Sequence, residues 1–411
     1  MQKHTDILQF FFTSCSIVFP KISMKSSHAR QKELFKLLKA EVNRQKKGIH
    51  LIASENDCPP EVLKLVGSPL INKYAEGYPG KRYYSGNQYC DEIEKSAIEA
   101  AKRLFNAPHA NVQPHSGSTA NAIILDALLK KKDTILALAL DHGGHLTHGH
   151  LKNFSGKEYN FVHYHVNPLT QRIDFDEVEV LAQKHSPRLI ICGYTSYPRA
   201  VDFERFGKIA RKYGAFAMAD ISHIAGLVAT GLHSSPFPAM DVVMTTTHKT
   251  LRGPRGAIIL CTKELAQRID NSVFPGHQGG PFMNSIAGKA WALWNAQTRP
   301  FLSYQKRILR YAKQMEEEFI SLGCVLVTGG TDTHMLLIDT LKSWGIDGAS
   351  ASKLLEKNYI YANHNLIPFD SGTAQKPSGL RIGTAWIAHK KYLKQDIKKL
   401  AKKIVEICTK K

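Results

Sequence analysis

The sequence lacks any C-x-x-C pair, although its 411 residues include seven cysteines. The cysteines are scattered along the chain, which argues against a disulfide framework and against a cysteine-based zinc site. This distribution suits a reducing compartment, so we expect a cytoplasmic protein. The chain also has no internal repeat and no low-complexity tract. Its length therefore predicts a globular protein with a large core rather than a repeat array.

The sequence also lacks an apolar run long enough to span a bilayer. Residues 7–19 are mostly apolar, but Pro20 ends this stretch. It resembles the core of a signal peptide, yet no clear cleavage site of small residues follows it. We interpret residues 1–23 as an overextended start ahead of Met24, or as a disordered arm, and expect no membrane partner.

Acidic residues are scarce, with 35 Asp and Glu against 55 Lys and Arg, giving a net charge of +20. Such an excess is compatible with nucleic-acid binding or with attraction of anionic substrates. However, many of the lysines after position 389 flank an apolar stripe at helical spacing, formed by Leu393, Ile397, Leu400, Ile404 and Ile407. We interpret the lysines as the solvated face of a helix, and nucleic acid is not an expected partner.

The middle of the chain alternates apolar, β-branched runs with helical patterns. The predicted strands are 134–140, 189–194, 215–221, 241–247 and 257–261, with a helix over 203–213 between two of them. This alternation predicts an α/β fold with a mostly parallel sheet between helices. A long helix over 301–322 precedes short strands at 325–327 and 335–339 and a helix at 350–357, which indicates a smaller α+β region. The predicted organisation is an arm (1–50, with a helix over 31–44), a large domain (51–298) and a small domain (299–411).

Lys249 follows a predicted strand that reads as buried on both faces. The connector to the next strand contains Gly253, Pro254 and Gly256, so it must turn tightly. A lysine at the mouth of a buried sheet is desolvated, which lowers its pKa and favours the neutral amine. A neutral amine attacks carbonyl groups, and this is the chemistry of a Schiff base.

Three further elements fit a phosphorylated aldehyde cofactor. Ser116, Gly117 and Ser118 precede a helical run, where free N–H groups bind anions. Asp220 ends an apolar strand, and a pyridinium N–H is a suitable partner for a buried carboxylate. Arg381 lies between glycine-flanked apolar residues and is a candidate receptor for a substrate carboxylate. Together with Lys249, this order indicates a pyridoxal-phosphate enzyme acting on an amino acid.

The chain resembles the serine hydroxymethyltransferase family from about residue 30 onward. The matching motifs are LIASEN (51–56), NKYAEGYPGKRYY (72–84), ANVQPHSGS (110–118), HGGHLTHG (142–149), TTTHKTLRGPRG (245–256), FPGHQGGP (274–281) and SGLRIGT (378–384). The resemblance implies a fold-type I pyridoxal-phosphate transferase that works as a homodimer or a dimer of dimers. It also implies transfer of the hydroxymethyl carbon of L-serine to tetrahydrofolate, which yields glycine and 5,10-methylenetetrahydrofolate.

The resemblance also implies roles for individual residues. Lys249 is the Schiff-base lysine, with His248 beside it, His145 stacks on the cofactor ring, and Asp220 pairs with the ring nitrogen. Further implied cofactor residues are Ser116, Gly117, Ser118, Thr195, His223, Thr246 and, from the neighbouring subunit, Gly280. The substrate carboxylate is assigned to Arg381, Ser54 and Tyr84, and proton handling to Glu76 near Tyr74. Glu76 and Tyr84 are expected to reach across the dimer. The implied folate contacts are Leu140, Gly144, His145, Leu146, Asn365 and the segment Thr373, Ala374, Gln375.

Two departures from the family pattern affect these assignments. Thr373, Ala374 and Gln375 occupy positions where the family usually has a Ser-Pro-Phe-like segment that grips folate. After Arg381, the usual Gly-Thr-Pro-Ala is Gly-Thr-Ala-Trp at 383–386. Two alternatives stay open beside this reading: an aldolase that cleaves β-hydroxy amino acids without folate, and an inactive binding scaffold or RNA-binding protein. The histidines of 142–150 lack an H-E-x-x-H pattern, so no metal is expected.

Overall fold

The computed structural model describes residues 24–409. Helix α1 (Met24–Lys47) belongs to one compact unit, and the chain from Ile49 onward belongs to a second. The helix predicted over 31–44 is confirmed and extends further at both ends. The interpretations of residues 1–23 fall outside the described residues.

The strands of the second unit are short, and most are buried. They are β1 (Ile49–His50), β2 (Gly77–Tyr78), β3 (Lys81–Arg82), β4 (His109–Asn111), β5 (Thr134–Leu138), β6 (Asn160–Tyr164), β7 (Leu189–Cys192), β8 (Phe216–Asp220), β9 (Val242–Thr246), β10 (Ala257–Cys261), β11 (Val325–Leu326), β12 (Met335–Asp339), β13 (Ile360–Tyr361), β14 (Asn363–Asn365) and β15 (Gly379–Gly383).

Helices connect most of these strands. They are α2 (Pro60–Val66), α3 (Gln88–Phe105), α4 (Gly117–Leu128), α5 (Phe154–Glu158), α6 (Phe175–His185), α7 (Phe203–Lys212), α8 (Ala225–Ala229), α9 (Lys263–Asn271), α10 (Met283–Asn295), α11 (Arg299–Ser321), α12 (Thr340–Trp344), α13 (Gly348–Lys357), α14 (Ala385–His389) and α15 (Lys394–Thr409), with shorter helical turns at Pro69–Asn72, Ser272–His277 and Val327–Gly329.

A seven-stranded sheet has the order β4-β10-β9-β8-β7-β5-β6. Only β10 runs antiparallel to its neighbours within this sheet, while β9, β8, β7, β5 and β6 pair in parallel. This confirms the predicted α/β fold with a mostly parallel sheet. The five predicted strands are present, four of them with shorter bounds. The prediction missed β4 and β6. Strand β4 has only three residues, and β6 contains Asn160 and His163 among its apolar residues, so neither forms an apolar run.

A second sheet lies entirely after residue 298 and is antiparallel, with the order β11-β12-β15-β14. The long helix α11 begins where Thr298 accepts a hydrogen bond from the Phe301 N–H, with a proline in the first turn. Helix α15 packs on α11. It buries Ile397, Leu400 and Ile404 and exposes its lysines, as predicted. Leu393 was wrongly placed on this stripe: it precedes the helix and is 61 % exposed.

No helix within residues 24–409 is long and apolar enough to cross a membrane. The six cysteines in this part of the chain form no disulfide. Cys90, Cys192, Cys261, Cys324 and Cys408 are buried, whereas Cys58 is partly exposed. Within the described residues, five thiols therefore serve as core side chains.

Candidate active site

A cavity of about 380 Å³ lies at the carboxyl edge of the large sheet, where β7, β8 and β9 end. Loops after parallel strands meet at this edge, which is the usual location of ligand sites in such sheets. The cavity brings together twelve of the predicted site residues: Ser54, Ser116, Gly117, Ser118, His145, Thr195, Asp220, His223, Thr246, His248, Lys249 and Arg381.

Lys249 lies in the connector between β9 and β10, which pair as an antiparallel hairpin. The Lys249 carbonyl accepts hydrogen bonds from Asn56 Nδ2 (2.9 Å) and from the Arg252 N–H (3.1 Å). Thr247 Oγ1 donates to the Pro254 carbonyl at 2.7 Å and closes the turn. Burial lowers the pKa of Lys249 to about 8, with Asp220 opposing this shift and the cations Arg381 and Arg255 adding to it. The predicted reactive amine is therefore buried and held on a fixed hairpin.

Asp220, the last residue of β8, is a buried carboxylate with several donors around it. Its Oδ1 accepts from the Ser222 N–H at 3.0 Å, and its Oδ2 lies 3.4 Å from Asn121 Nδ2 and 3.5 Å from His148 Nε2. Burial alone raises the pKa of a carboxyl, but His148 and Lys249 outweigh burial and hold the pKa of Asp220 well below its usual range. Asp220 is thus an anion inside the cavity.

The backbone next to Asp220 leaves no room for a side chain. Gly193, just after β7, has a φ of +96°, and a Cβ added there would lie 1.9 Å from the Asp220 carbonyl oxygen. Glycine is required both by this conformation and by the close approach. It allows the ends of β7 and β8 to approach closely under the cavity.

The N-terminus of α4 forms the other end of the cavity. Ser116 is the N-cap, and its Oγ accepts from the Thr119 N–H. A Cβ at Gly117 would lie 2.7 Å from Thr246 Cγ2, so only glycine allows this approach. Thr246 Oγ1 is buried and has no hydrogen-bond partner among the described residues. Free helix N–H groups together with an unpaired hydroxyl are suited to an anion such as phosphate.

The histidines of the cavity are uncharged at neutral pH. Burial lowers the pKa of His145 to about 4 and that of His248 to about 3, and it also lowers the pKa of His223. His145 Nδ1 lies 2.7 Å from Thr147 Oγ1, which orients the ring. A neutral, oriented imidazole is suited to stacking on an aromatic cofactor.

Arg381, on β15, reaches the cavity from the second sheet. Its Nε donates to Asn363 Oδ1 (3.1 Å) and its Nη1 to the Thr195 carbonyl (2.6 Å). Since a guanidinium carries more N–H donors than these two bonds use, the group is oriented and still able to bind a carboxylate. Burial lowers its pKa to about 10, so it remains a cation at neutral pH.

These groups fit pyridoxal phosphate. The helix end and the unpaired Thr246 hydroxyl match the phosphate, the Asp220 carboxylate matches a pyridinium N–H, and the buried Lys249 amine matches the aldehyde. The remaining cation, Arg381, matches the carboxylate of an amino acid. The cavity therefore presents a partner for the phosphate, the ring nitrogen and the aldehyde of the cofactor, and for the carboxylate of the substrate.

Four of the predicted residues that lie outside this cavity form a cluster, which we call the tyrosine–glutamate patch: Tyr74, Glu76, Tyr84 and Gly280. The rings of Tyr74 and Tyr84 are 5.2 Å apart, and a Cβ at Gly280 would lie 3.3 Å from the Tyr74 ring. Tyr74 is 57 % exposed and Tyr84 is 47 % exposed. Arg82 fixes the backbone on both sides of Glu76 by donating to the carbonyls flanking it in sequence, at 2.8 Å each.

The residues predicted to contact folate do not line the cavity, except for His145. Leu146 is 50 % exposed, and Leu140 is partly exposed. Gly144 packs against the Leu138 carbonyl, where a Cβ would lie at 2.3 Å. Asn365 belongs to β14, and its Nδ2 donates to the Leu366 carbonyl at 2.6 Å. Thr373, Ala374 and Gln375 are exposed in the loop before β15.

Sequence reasoning assigned no role to several residues that line or support the cavity. Arg255 and Gly256 were present in the quoted TLRGPRG motif, and Asn121 lies one turn beyond Ser118 on α4. His148 was present in the HGGHLTHG motif and contacts Asp220. Asn363 orients Arg381 from the neighbouring strand, and no sequence signal marked it.

Comparison with known protein families gives one match that covers most of the chain. The model of the family described as serine hydroxymethyltransferase matches residues 28–404. The match includes every strand of both sheets and all residues of the cavity.

Proposed function

We propose, from the premise that the chain belongs to the serine hydroxymethyltransferase family, that the cavity around Lys249 is the site of its reaction. The activity is the reversible transfer of the hydroxymethyl group of L-serine to tetrahydrofolate, which yields glycine and 5,10-methylenetetrahydrofolate. Pyridoxal phosphate is the cofactor and supplies an electron sink when it is bound.

The cavity residues divide the binding of this cofactor among them. Lys249 provides the amine for covalent attachment, and the Asp220 carboxylate accepts a hydrogen bond from the protonated ring nitrogen. His145 stacks on the ring, while Thr195, His223 and His248 shape the cavity around it. Ser116, Gly117, Ser118 and Thr246 hold the phosphate. The low pKa of Asp220 and the lowered pKa of Lys249 support these roles, because the first needs an anion and the second a neutral amine.

The amino acid binds through its carboxylate to Arg381, with Ser54 from the cavity wall as a second donor. The two hydrogen bonds that orient Arg381 support this role, since a fixed guanidinium binds a carboxylate with less loss of side-chain freedom. Tyr84 completes this set from outside the cavity. The side chain of the bound amino acid is then directed toward the open side of the cavity.

We further propose that the protein is a homodimer in which the tyrosine–glutamate patch of one subunit completes the cavity of the other. The two tyrosines of the patch are exposed, its residues lie outside the cavity of their own chain, and its backbone is nonetheless fixed by Arg82. Glu76 would then hold or move a proton at the hydroxyl of serine and at the folate. Tyr74 supports its position, and Gly280 would reach the cofactor phosphate in the cavity of the other subunit.

Folate is assigned to the entrance of the cavity, with Leu140, Gly144, Leu146, Asn365 and the loop Thr373–Gln375 as its contacts. The exposure of the loop supports this, because a bulky co-substrate needs accessible groups. The cytoplasmic location and the division at residues 50 and 298 into an arm, a large domain and a small domain also remain proposals. The boundary at 298 is supported by the start of α11 at Arg299 and by the second sheet that follows it.

The observation that carries the proposal is the desolvated Lys249 amine in the same cavity as the Asp220 carboxylate and the Arg381 guanidinium. Purified protein incubated with pyridoxal phosphate is expected to absorb in the visible and to retain the cofactor after borohydride reduction. Lys249→Ala should abolish this covalent labelling, whereas Lys263→Ala, an exposed lysine at the start of α9, should not change it. Unchanged labelling of Lys249→Ala would exclude Lys249 as the attachment site.

A further inference from the structure

Lys289, on α10, is a lysine in the protein interior that the proposed site does not use, and burial lowers its pKa to about 7 against the opposing effect of Glu94. Lys289 is 1 % exposed. Its ammonium donates to three backbone carbonyls: Val112 at 2.7 Å, Pro114 at 2.9 Å and Ala257 at 3.0 Å. An ammonium group carries one N–H donor for each of these carbonyls, whereas a neutral amine carries one too few. The geometry therefore matches the charged form.

The three carbonyls lie where β4 and β10 separate. The paired register of these strands ends at Asn111 and Ile259, and beyond it the Ala257 N–H still donates to the Pro114 carbonyl at 3.1 Å. The segment 112–116 leaves β4 here and leads directly into the N-terminus of α4. Lys289 thus bonds to the chain just before the phosphate end of the cavity.

A second side chain restrains the same segment. Gln278 Nε2 donates to the Gln113 carbonyl at 3.1 Å, and Gln278 Oε1 accepts from the His115 N–H at 3.0 Å. Together, Lys289 and Gln278 engage the carbonyls of three consecutive residues, 112, 113 and 114. The path of the chain into Ser116 is therefore fixed by side chains from outside the sheet.

Lys289 also packs closely against Gly256, a second part of the cavity wall. A Cβ at Gly256 would lie 2.5 Å from Lys289 Cε and 3.1 Å from its Nζ, and Gly256 lines the cavity. Burying an ammonium is costly unless it is fully hydrogen-bonded, and a residue that only filled this space could be apolar. The use of a cation indicates that the converging carbonyls, rather than the volume, require it.

We propose that Lys289 is a positioning residue for the phosphate end of the cavity. Its ammonium holds the segment 112–116 and the wall at Gly256 so that the N–H groups and hydroxyls of Ser116–Ser118 face the cofactor phosphate. This inference rests on the proposed cofactor site, and Lys289 itself does not touch the cofactor.

The test compares pyridoxal phosphate with pyridoxal, which has the same ring and aldehyde but no phosphate. Affinities of both ligands are measured on the apoprotein of the unmutated chain, Lys289→Met and Lys289→Gln. Lys289→Met should lower the affinity for pyridoxal phosphate by about tenfold or more and change the affinity for pyridoxal by about twofold at most. Lys289→Gln keeps an NH₂ donor group, so its affinity for pyridoxal phosphate should lie between those of the unmutated chain and Lys289→Met. A purely structural role would weaken both ligands equally.

Trp294→Phe is the matched control, because it removes a single hydrogen bond from α10, that of Trp294 Nε1 to Ser96 Oγ at 2.9 Å. It should leave the ratio of the two affinities unchanged. If Lys289→Met does not fold, the ratio of the two affinities measured on Lys289→Gln tests the proposal instead. An unchanged ratio in a folded variant would overturn the role of Lys289 alone. Failure of the unmutated protein to bind pyridoxal phosphate would instead overturn the proposed cofactor and this inference with it.

Discussion

The cavity and the tyrosine–glutamate patch differ in where their contacts lie. In the cavity, two charged groups already have partners from the same chain: Asp220 has Ser222 and Asn121, and Arg381 has Asn363 and Thr195. In the patch, the backbone around Glu76 is equally well held, but the side chains of Tyr74 and Tyr84 are about half exposed. The Asp220 and Arg381 side chains are thus held within one chain, whereas the two tyrosines of the patch are exposed at the surface.

The difference indicates how the reaction is divided. Binding of the cofactor and of the substrate carboxylate needs groups whose pKa values are shifted by burial, and such burial is provided within one fold. Proton transfer at the hydroxyl of serine needs a group that approaches from the open side of the cavity. In the dimer that we propose, the tyrosine–glutamate patch of a second copy of the chain supplies that group and also covers the cavity.

Mixing two inactive variants is the most direct test of whether the patch of one subunit serves the cavity of the other. Lys249→Ala and Glu76→Gln should each lack activity as pure proteins. After exchange of subunits, about a quarter of wild-type activity should return, because half of the chains are then in heterodimers with one intact site. Activity is measured as glycine formation before and after mixing. If no activity returns although exchange is verified by mass, the patch acts on its own chain's cavity.

Glu76→Gln alone should separate folate-dependent chemistry from cofactor binding. The substitution keeps the shape of the side chain and removes its titrating group. Folate-dependent glycine formation should fall by about two to four orders of magnitude, as is usual for a lost general acid or base. Serine binding should persist, and cleavage of a bulkier β-hydroxy amino acid without folate should fall much less. Equal losses in both reactions would assign Glu76 a structural role.

Arg381→Ala should affect the substrate far more than the cofactor. A charge-assisted contact with a carboxylate is lost, so the affinity for serine and glycine should decrease by about a hundredfold. The affinity for pyridoxal phosphate should change little, which is checked by titration of the apoprotein. Asn363→Ala removes only an orienting bond and should give a smaller decrease of the same kind. Unchanged serine affinity in Arg381→Ala would contradict the assignment.

The smallest effect concerns pH. Because the pKa of Lys249 is lowered to about 8, covalent attachment of pyridoxal phosphate to the apoprotein should accelerate about tenfold per pH unit below that value and then level off. Arg255→Met removes a cation that contributes to this shift, so the midpoint should move to higher pH. The rate is followed by visible absorbance. A midpoint close to that of a free lysine would show that the amine is not desolvated.

The sequence allowed prediction of those site residues that follow directly on strands. Asp220 ends β8 and Lys249 follows β9, and both strands are apolar runs whose length and flanks are visible without a structure. Ser116–Ser118 were recognisable for a similar reason, since an N-cap precedes a helical pattern. Local patterns were sufficient because each of these residues depends on the element next to it.

Other roles depend on contacts between distant segments, and sequence patterns do not show them. Asn363 orients Arg381 only because β14 and β15 pair side by side, and Lys289 meets the segment 112–116 only after α10 has packed against the sheet. The strands β4 and β6 were missed because short or alternating segments resemble loops. The position of Glu76 also depends on tertiary contacts. Arg82 holds the backbone around Glu76 and is itself held by ion pairs with Asp91 and Glu94.

The distribution of the cysteines makes thiol chemistry a measure of local opening. Cys58 is partly exposed, whereas burial raises the pKa of the Cys261 and Cys408 thiols to about 12 and keeps them out of contact with reagents. In a Cys15→Ser background, a thiol reagent should label Cys58 rapidly and the five buried cysteines only as the segments around them open. Cys261 ends β10, the strand that borders both Lys249 and the segment held by Lys289. Its labelling rate therefore reports, without any introduced cysteine, how rarely that strand opens in each variant.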